Sequence, residues 1–159
     1  MAASASTSAQ AEQADRVLVI TRVFDAPRAL VFKAWTDPVH LMRWKGPRGF
    51  TTTSFTCALT PGGAWRSCMR CDDTGEELWQ SGVYREIVPP ERLVFTYAWD
   101  QDDGSRGPET LVTITFAEHG GKTTMTFRQA LFDTAESRDE HQGGWTSSFE
   151  RLDEYLASL

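Results

Sequence analysis

The chain predicts an α+β fold: a curved antiparallel sheet of about seven strands grips one long C-terminal helix, with two short helices after the first strand. Three observations carry that reading. Six β-rich runs follow one another through the middle of the chain with only turn-sized links, as in an antiparallel meander. From Thr134 onward, Trp145, Phe149, Leu152 and Leu156 recur at helical spacing, while Glu150, Arg151, Asp153 and Glu154 turn largely to water. A twisted sheet of that size curls, and this helix is the one long amphipathic element able to cover its concave face.

Each element has a local reason. Residues 16–24 alternate Val17, Val19, Thr21 and Val23 against Leu18, Ile20, Arg22 and Phe24, a first strand with both faces largely covered. Asp25-Ala26-Pro27 opens the first short helix, with Pro27 suited to its first turn and Leu30, Val31, Ala34 and Trp35 as its apolar stripe. Asp37-Pro38 interrupts it, and a second helix over 38–44 ends at Gly46-Pro47. Strands are expected over 50–59, 64–71, 77–88, 92–99, 109–117 and 122–131. Pro61-Gly62-Gly63, Asp72-Asp73-Thr74-Gly75, Pro89-Pro90, Asp102-Asp103-Gly104 and His119-Gly120-Gly121 supply the turns. Thr134 is the expected N-cap of the last helix. Gly143 and Gly144 weaken that helix by roughly 1 kcal/mol each, which makes sense if they permit close approach to the sheet or a bend.

Composition narrows the function classes. With 159 residues, 40% of them hydrophobic, the chain fits one domain over 15–159 preceded by a disordered tail over 1–14. That tail is rich in Ala and Ser, without the basic start or apolar middle of a signal peptide. A net charge of −6 argues against nucleic acid and anionic lipid as partners, and no apolar run is long enough to span a bilayer. Cys57, Cys68 and Cys71 make an odd count, as expected of free thiols in a cytoplasmic protein. Cys68 and Cys71 form a C-x-x-C pair, but on a strand positions three apart face opposite sides, and no further ligand pair accompanies them. Neither a metal nor a nucleotide cofactor is expected, since no phosphate loop, dinucleotide fingerprint or metal-ligand helix motif is present.

Five stretches occur in a telling order: Phe24-Asp25-Ala26-Pro27 through Thr36-Asp37-Pro38, Leu41-Met42-Arg43-Trp44-Lys45-Gly46-Pro47, Pro61-Gly62-Gly63-Ala64-Trp65, Pro89-Pro90-Glu91-Arg92-Leu93-Val94-Phe95-Thr96, and Gly143-Gly144-Trp145. Together they resemble the bacterial relatives of the activator of heat-shock-protein-90 ATPase, within the START-like, or polyketide-cyclase-like (SRPBCC), superfamily. The resemblance implies the helix-grip fold and a hydrophobic cavity between helix and sheet. It implies no particular chemistry, because this superfamily spans carriers, cyclases, hydrolases and co-chaperone domains.

Cross-strand register then selects the residues facing that cavity. Around Pro61-Gly62-Gly63, pairing Cys57 with Trp65 and Phe55 with Ser67 gathers Phe55, Cys57, Leu59, Trp65 and Met69 on the inner face and leaves Arg66, Cys68 and Arg70 outside. The run 92–99 puts Leu93, Phe95, Tyr97 and Trp99 on one face. Across the Pro89-Pro90 corner, pairing Tyr84 with Tyr97 and Gly82 with Trp99 would bring Glu86 inward near Phe95. Later strands add Val112, Ile114, Phe116, Met125 and Phe127, and the helix adds His141, Trp145 and Phe149. The candidate ligand-binding set thus runs from Phe55, Trp65, Ser67 and Met69 through Tyr84, Phe95, Tyr97 and Trp99 to Ile114, Met125, Phe127, Trp145 and Phe149.

The expected function is binding of a small apolar or aromatic molecule by this aromatic lining. Two other classes stand beside it. A cyclase- or hydrolase-type enzyme would use Glu86, an inward carboxyl with a raised pKa, together with Tyr84 and His141; Ser67, Ser147 and Ser148 lack a nucleophile elbow. A co-chaperone-like module would use a protein partner, and the last helix, with six acids against two bases, would favour a basic one. In the co-chaperone a related domain accompanies a separate chaperone-binding domain, for which 159 residues leave no room.

Overall fold

The computed structural model describes residues 14–159, so the expected tail lies, but for its last residue, outside the described residues. The elements are β1 (Leu18–Phe24), α1 (Arg28–Thr36), α2 (Pro38–Trp44), β2 (Phe50–Cys57), β3 (Ala64–Cys71), β4 (Glu77–Val88), β5 (Arg92–Trp99), β6 (Thr110–His119), β7 (Lys122–Ala130) and α3 (Ala135–Ser158). The seven strands form one antiparallel sheet in the order β1-β7-β6-β5-β4-β3-β2. Its concave face holds α3, and α1 and α2 pack at one end: this is a helix-grip fold. Among the described residues no helix is long and apolar enough to cross a membrane.

Two short helices meet at one residue for a clear reason. Asp37, held extended by the proline that follows it, caps the C-terminus of α1 and starts α2, its carboxylate accepting from Val39 N at 2.9 Å. The junction swings Trp35 and Trp44 into edge-on contact at 4.8 Å. Thr134 caps α3 by accepting from Ser137 N.

The core is a packed aromatic mass. Trp35 lies within 6.4 Å of five other rings, those of Trp44, Phe95, Phe127, Trp145 and Phe149. Four buried indole N–H groups are paired inside the protein: Trp35 with Met125 Sδ, Trp44 with Ala34 O, Trp65 with Thr96 O and Trp145 with Gln129 Oε1. Gln129 in turn donates to Thr110 Oγ1, which donates to Tyr97 O. Buried polar groups linked in this way fix one arrangement of the rings around them. Gly82 makes the Trp65 contact feasible, because a Cβ there would stand 1.8 Å from Thr96 O and 2.5 Å from Trp65 Nε1.

Two bulges rewrite which residues point inward. In β4, Tyr84 pairs with Phe95 but Glu86 pairs with Val94, so Arg85 is an extra residue and the inward–outward alternation flips. Glu86 therefore faces solvent, accepting from Arg92 Nε at 3.0 Å, and Ile87 takes the inward place beside Leu93. This corrects the expected register, in which Tyr84 met Tyr97, Gly82 met Trp99 and Glu86 approached Phe95. Because the Glu86–Arg92 pair is half-exposed, Glu86→Gln is expected to shift stability by less than about 0.5 kcal/mol. A loss above 2 kcal/mol on urea unfolding would contradict the outward placement. In β2, Thr52 pairs with Met69 and Ser54 with Cys68, so Thr53 is extra and Thr52 turns inward.

Other expectations are also corrected. The strands expected over 16–24, 50–59, 109–117 and 122–131 are Leu18–Phe24, Phe50–Cys57, Thr110–His119 and Lys122–Ala130. Leu59 sits in the turn beyond β2 and is exposed, not inward. Cys68 is buried although it is on the outer face, since Trp79 stands directly opposite it and carries the Arg66 guanidinium stacked on its ring. As an edge strand β1 leaves Val19 and Val23 exposed, so only its inner face is covered. Arg151 does not turn to water but donates to the carbonyls of Gly46, Pro47 and Phe50.

Candidate functional site

The space between α3 and the sheet falls into two parts. The inner part, walled by Trp35, Leu41, Lys45, Phe55, Trp65, Tyr84, Phe95 and Trp145, has narrowed to a void of about 20 Å³, room for roughly one water. The outer part is an open groove of about 460 Å³ whose walls are Pro47, Phe50, Met69, Leu78, Tyr97, Trp99, His141, Gly144, Trp145 and Ser148, with Ser137 and Glu140 at its rim. A smaller depression of about 240 Å³ shares Tyr97, Trp99, Ser137, Glu140 and His141 with it and continues toward Pro108, Phe132 and Asp133.

The structure distributes the sequence-derived set as follows. Met69, Tyr97, Trp99 and Trp145 line the groove. Phe55, Trp65, Tyr84 and Phe95, again with Trp145, enclose the void. Ile114, Met125, Phe127 and Phe149 are completely buried, filling the core between the sheet and the helices. Ser67 is buried on the floor between void and groove. Of the three residues considered for catalysis, Glu86 is on the outer surface, Tyr84 is in the void and His141 is in the groove, so they do not converge.

His141 is held through both ring nitrogens. Its Nδ1 faces Ser137 O at 2.7 Å and its Nε2 accepts from Trp99 Nε1–H at 2.8 Å. The carbonyl takes a proton and the indole N–H gives one, so this geometry selects the tautomer protonated at Nδ1. Trp99 and His141 thereby fasten the mouth of the groove, joining β5 to α3. The glycine pair behaves differently from expectation: a Cβ on either would meet nothing within 4 Å, so neither is there for close approach to the sheet. Gly144 borders the groove, and its missing side chain leaves that volume open.

Sequence reasoning missed the most unusual polar group, Lys45. It is the C-cap of α2, with extended backbone at φ −64°, ψ 134°, ahead of Gly46 at φ +106°. Thr52, turned inward by the β2 bulge, donates to Lys45 O at 2.7 Å and pins that backbone. The side chain consequently runs into the interior and is only 6% exposed. Its Nζ donates to Gln80 Oε1 at 3.1 Å and to Ser67 Oγ at 3.4 Å, and it sits 5.8 Å and 5.9 Å from the centres of the Trp65 and Tyr97 rings. Burial pushes its pKa down to about 7. Burial likewise pushes the Tyr84 phenol, with Cys57 beside it, and the Tyr97 phenol far above the ordinary range. The signal available in the sequence was weak, because a lysine closing a helix is ordinarily a solvated cation on the helix dipole.

Among the described residues no cluster of His, Cys, Asp and Glu has metal-site geometry, and the three cysteines are unpaired. The site is thus an apolar, aromatic groove with an imidazole at its mouth and a buried amine lining the void behind it.

Solved structures share this architecture. A protein from Chromobacterium violaceum aligns with a TM-score of 0.82 at 26% identity, over 89% of this chain and 96% of its own. An AHSA1 protein from Silicibacter pomeroyi aligns with a TM-score of 0.80 at 28% identity, over 89% and 97%. A protein from Rhizobium leguminosarum aligns with a TM-score of 0.75 at 27% identity, over 90% and 95%. No curated protein matches the chain. Residues 25–157 match the family described as Activator of Hsp90 ATPase homolog 1-like protein, and the chain belongs to that family.

Proposed function

We propose that the chain binds a small apolar or aromatic molecule in the groove between α3 and the concave face of the sheet. The observation that carries this reading is the groove itself: about 460 Å³ of open space walled by Met69, Leu78, Tyr97, Trp99 and Trp145, within the range of small-molecule sites and with few polar groups. With most other aromatics packed into the core, the groove is a concave apolar surface still open to a ligand. The indoles of Trp99 and Trp145 combine apolar area with N–H groups already engaged, so an apolar molecule would meet their faces without stranding a donor. The separation of Glu86, Tyr84 and His141 supports binding over the acid–base chemistry weighed above, and the unpaired thiols support a cytoplasmic setting.

Gly144→Leu tests the reading. The substitution introduces a side chain into the groove, has open space at its Cβ, and raises helix propensity by about 0.8 kcal/mol. The wild type is expected to bind N-phenyl-1-naphthylamine saturably, seen as probe enhancement and Trp quenching. The variant should fold at least as stably and bind at least tenfold more weakly. Unchanged binding by a folded variant, or no saturable binding by the wild type, would overturn the assignment.

A further inference from the structure

Lys45 and the groove are adjacent by register. On the concave face β3 and β4 pair Trp65 with Gly82, Ser67 with Gln80 and Met69 with Leu78. The first of these rows belongs to the void, the last to the floor of the groove, and the middle one receives the Lys45 amine. Successive inward rows on a strand are about 7 Å apart, so the amine stands one row behind the groove. Tyr97, which walls the groove, has its ring centre 5.9 Å from the same Nζ.

The amine is met as a cation only by two neutral acceptors and the Trp65 and Tyr97 rings. An ammonium has three protons to donate, and Lys45 has two neutral acceptors, one of them distant at 3.4 Å. No carboxylate among the described residues pairs with it. Arg151, the neighbouring cation, is committed to three carbonyls of the loop after α2. A buried amine without a counter-ion thus lines the small void that adjoins the inner end of the groove across Trp145, and a negative group reaching it from a bound molecule would complete it.

Resting on the groove reading above, we propose that the preferred ligand is an amphipathic acid: an apolar or aromatic body in the groove and a carboxylate at its inner end, paired with the Lys45 ammonium between Ser67 and Gln80. The protein's net charge of −6 does not favour anions in general, so the selectivity is local. The other titratable groups facing this interior are Tyr84 on β4 with Cys57 of β2 beside it, Tyr97 on β5 and Glu140 and His141 on α3, with Asp133 and Glu136 bordering the adjoining depression. Both tyrosines stay neutral across the working range because burial raises them. Near and above pH 7 the amine is partly neutral in the free protein, so pairing with a carboxylate must draw a proton from solvent.

The test uses 4-biphenylcarboxylate and its neutral amide, 4-biphenylcarboxamide, titrated calorimetrically into wild type, Lys45→Met and Gly144→Leu. The wild type should prefer the acid at least tenfold at pH 6.5. At pH 8 acid binding should take up close to one proton, read from the dependence of the heat on buffer ionisation. Lys45→Met should lose the preference for the acid over the amide and take up no proton. Equal affinity of the wild type for acid and amide, or a preference or proton uptake that survives in Lys45→Met, would overturn the proposal while leaving the groove intact. Failure of both ligands to bind the wild type would remove the groove reading and this proposal with it. Loss of both in Gly144→Leu is the result expected if the two share one site.

Discussion

Trp35→Ala is expected to lower the unfolding free energy by about 4 kcal/mol, the range seen when a buried Trp or Phe is truncated. The indole is 3% exposed and touches rings from α2, β5, β7 and α3, so it joins both short helices, the sheet and the long helix in one contact set. Truncation forfeits the transfer energy of the ring, leaves a cavity bounded by five other aromatics that cannot collapse together, and leaves no donor for Met125 Sδ. Because whole domains are stable by only about 5–15 kcal/mol, the variant should show a strongly lowered urea midpoint at unchanged slope. Trp35→Phe, which keeps most of the packing, should lose about half as much. A loss below 1 kcal/mol for the alanine variant would mean that this aromatic mass is not the core of the fold.

The second large effect is a pH dependence produced by Lys45. Its folded-state pKa, about 7, lies below the ordinary 10.5 of an exposed lysine. Below pH 7 the amine is charged in both states, and the native state carries the full penalty of a buried ammonium. Between 7 and 10.5 the native amine is neutral while the unfolded one still holds its proton, so the unfolded state binds more protons and stability rises with pH. The rise levels off above 10.5. At about 1.4 kcal/mol per pH unit the total is on the order of 3–5 kcal/mol. Lys45→Met removes both the penalty and the slope. At pH 6 it should be more stable than the wild type by on the order of 2 kcal/mol, reduced from the full penalty because Gln80 and Ser67 lose their partner. Other groups titrate in both proteins, so the difference between their urea-unfolding curves at pH 6, 7.5 and 9 isolates Lys45. Parallel curves would refute the buried-amine account.

If the amine also serves an acidic ligand, these two roles oppose each other. A charge that weakens the empty protein below neutrality becomes an asset only when a carboxylate arrives. Ligand binding should then stabilise the wild type most at pH 6–7, and Lys45→Met should gain stability while losing selectivity. That trade of stability for recognition is common where a buried group is kept for function.

Much of this molecule is determined by local information. The bounds of α2, β3, β4 and β5, the two-residue alternation of Leu93, Phe95, Tyr97 and Trp99, the Asp37-Pro38 break and the Thr134 cap all follow from interactions within a few residues, and the structure has them where the sequence places them. The Cys57–Trp65 and Phe55–Ser67 pairs also follow, because only that register buries the apolar set. What tertiary structure alone decided is where the alternation breaks and which spaces stay open. The extra residues at Arg85 and Thr53 carry no composition signal, yet one sent Glu86 out to Arg92 and the other brought Thr52 in to hold Lys45. Likewise the aromatic lining was legible as an inward face, but the closing of its inner half to about 20 Å³ and the opening of its outer half to about 460 Å³ depend on how seven strands curl against one helix. Side-chain direction follows from the local chain; register across a bulge, burial of a capping lysine and the volume left between layers are sums over contacts distant in sequence, and no short window of residues contains them.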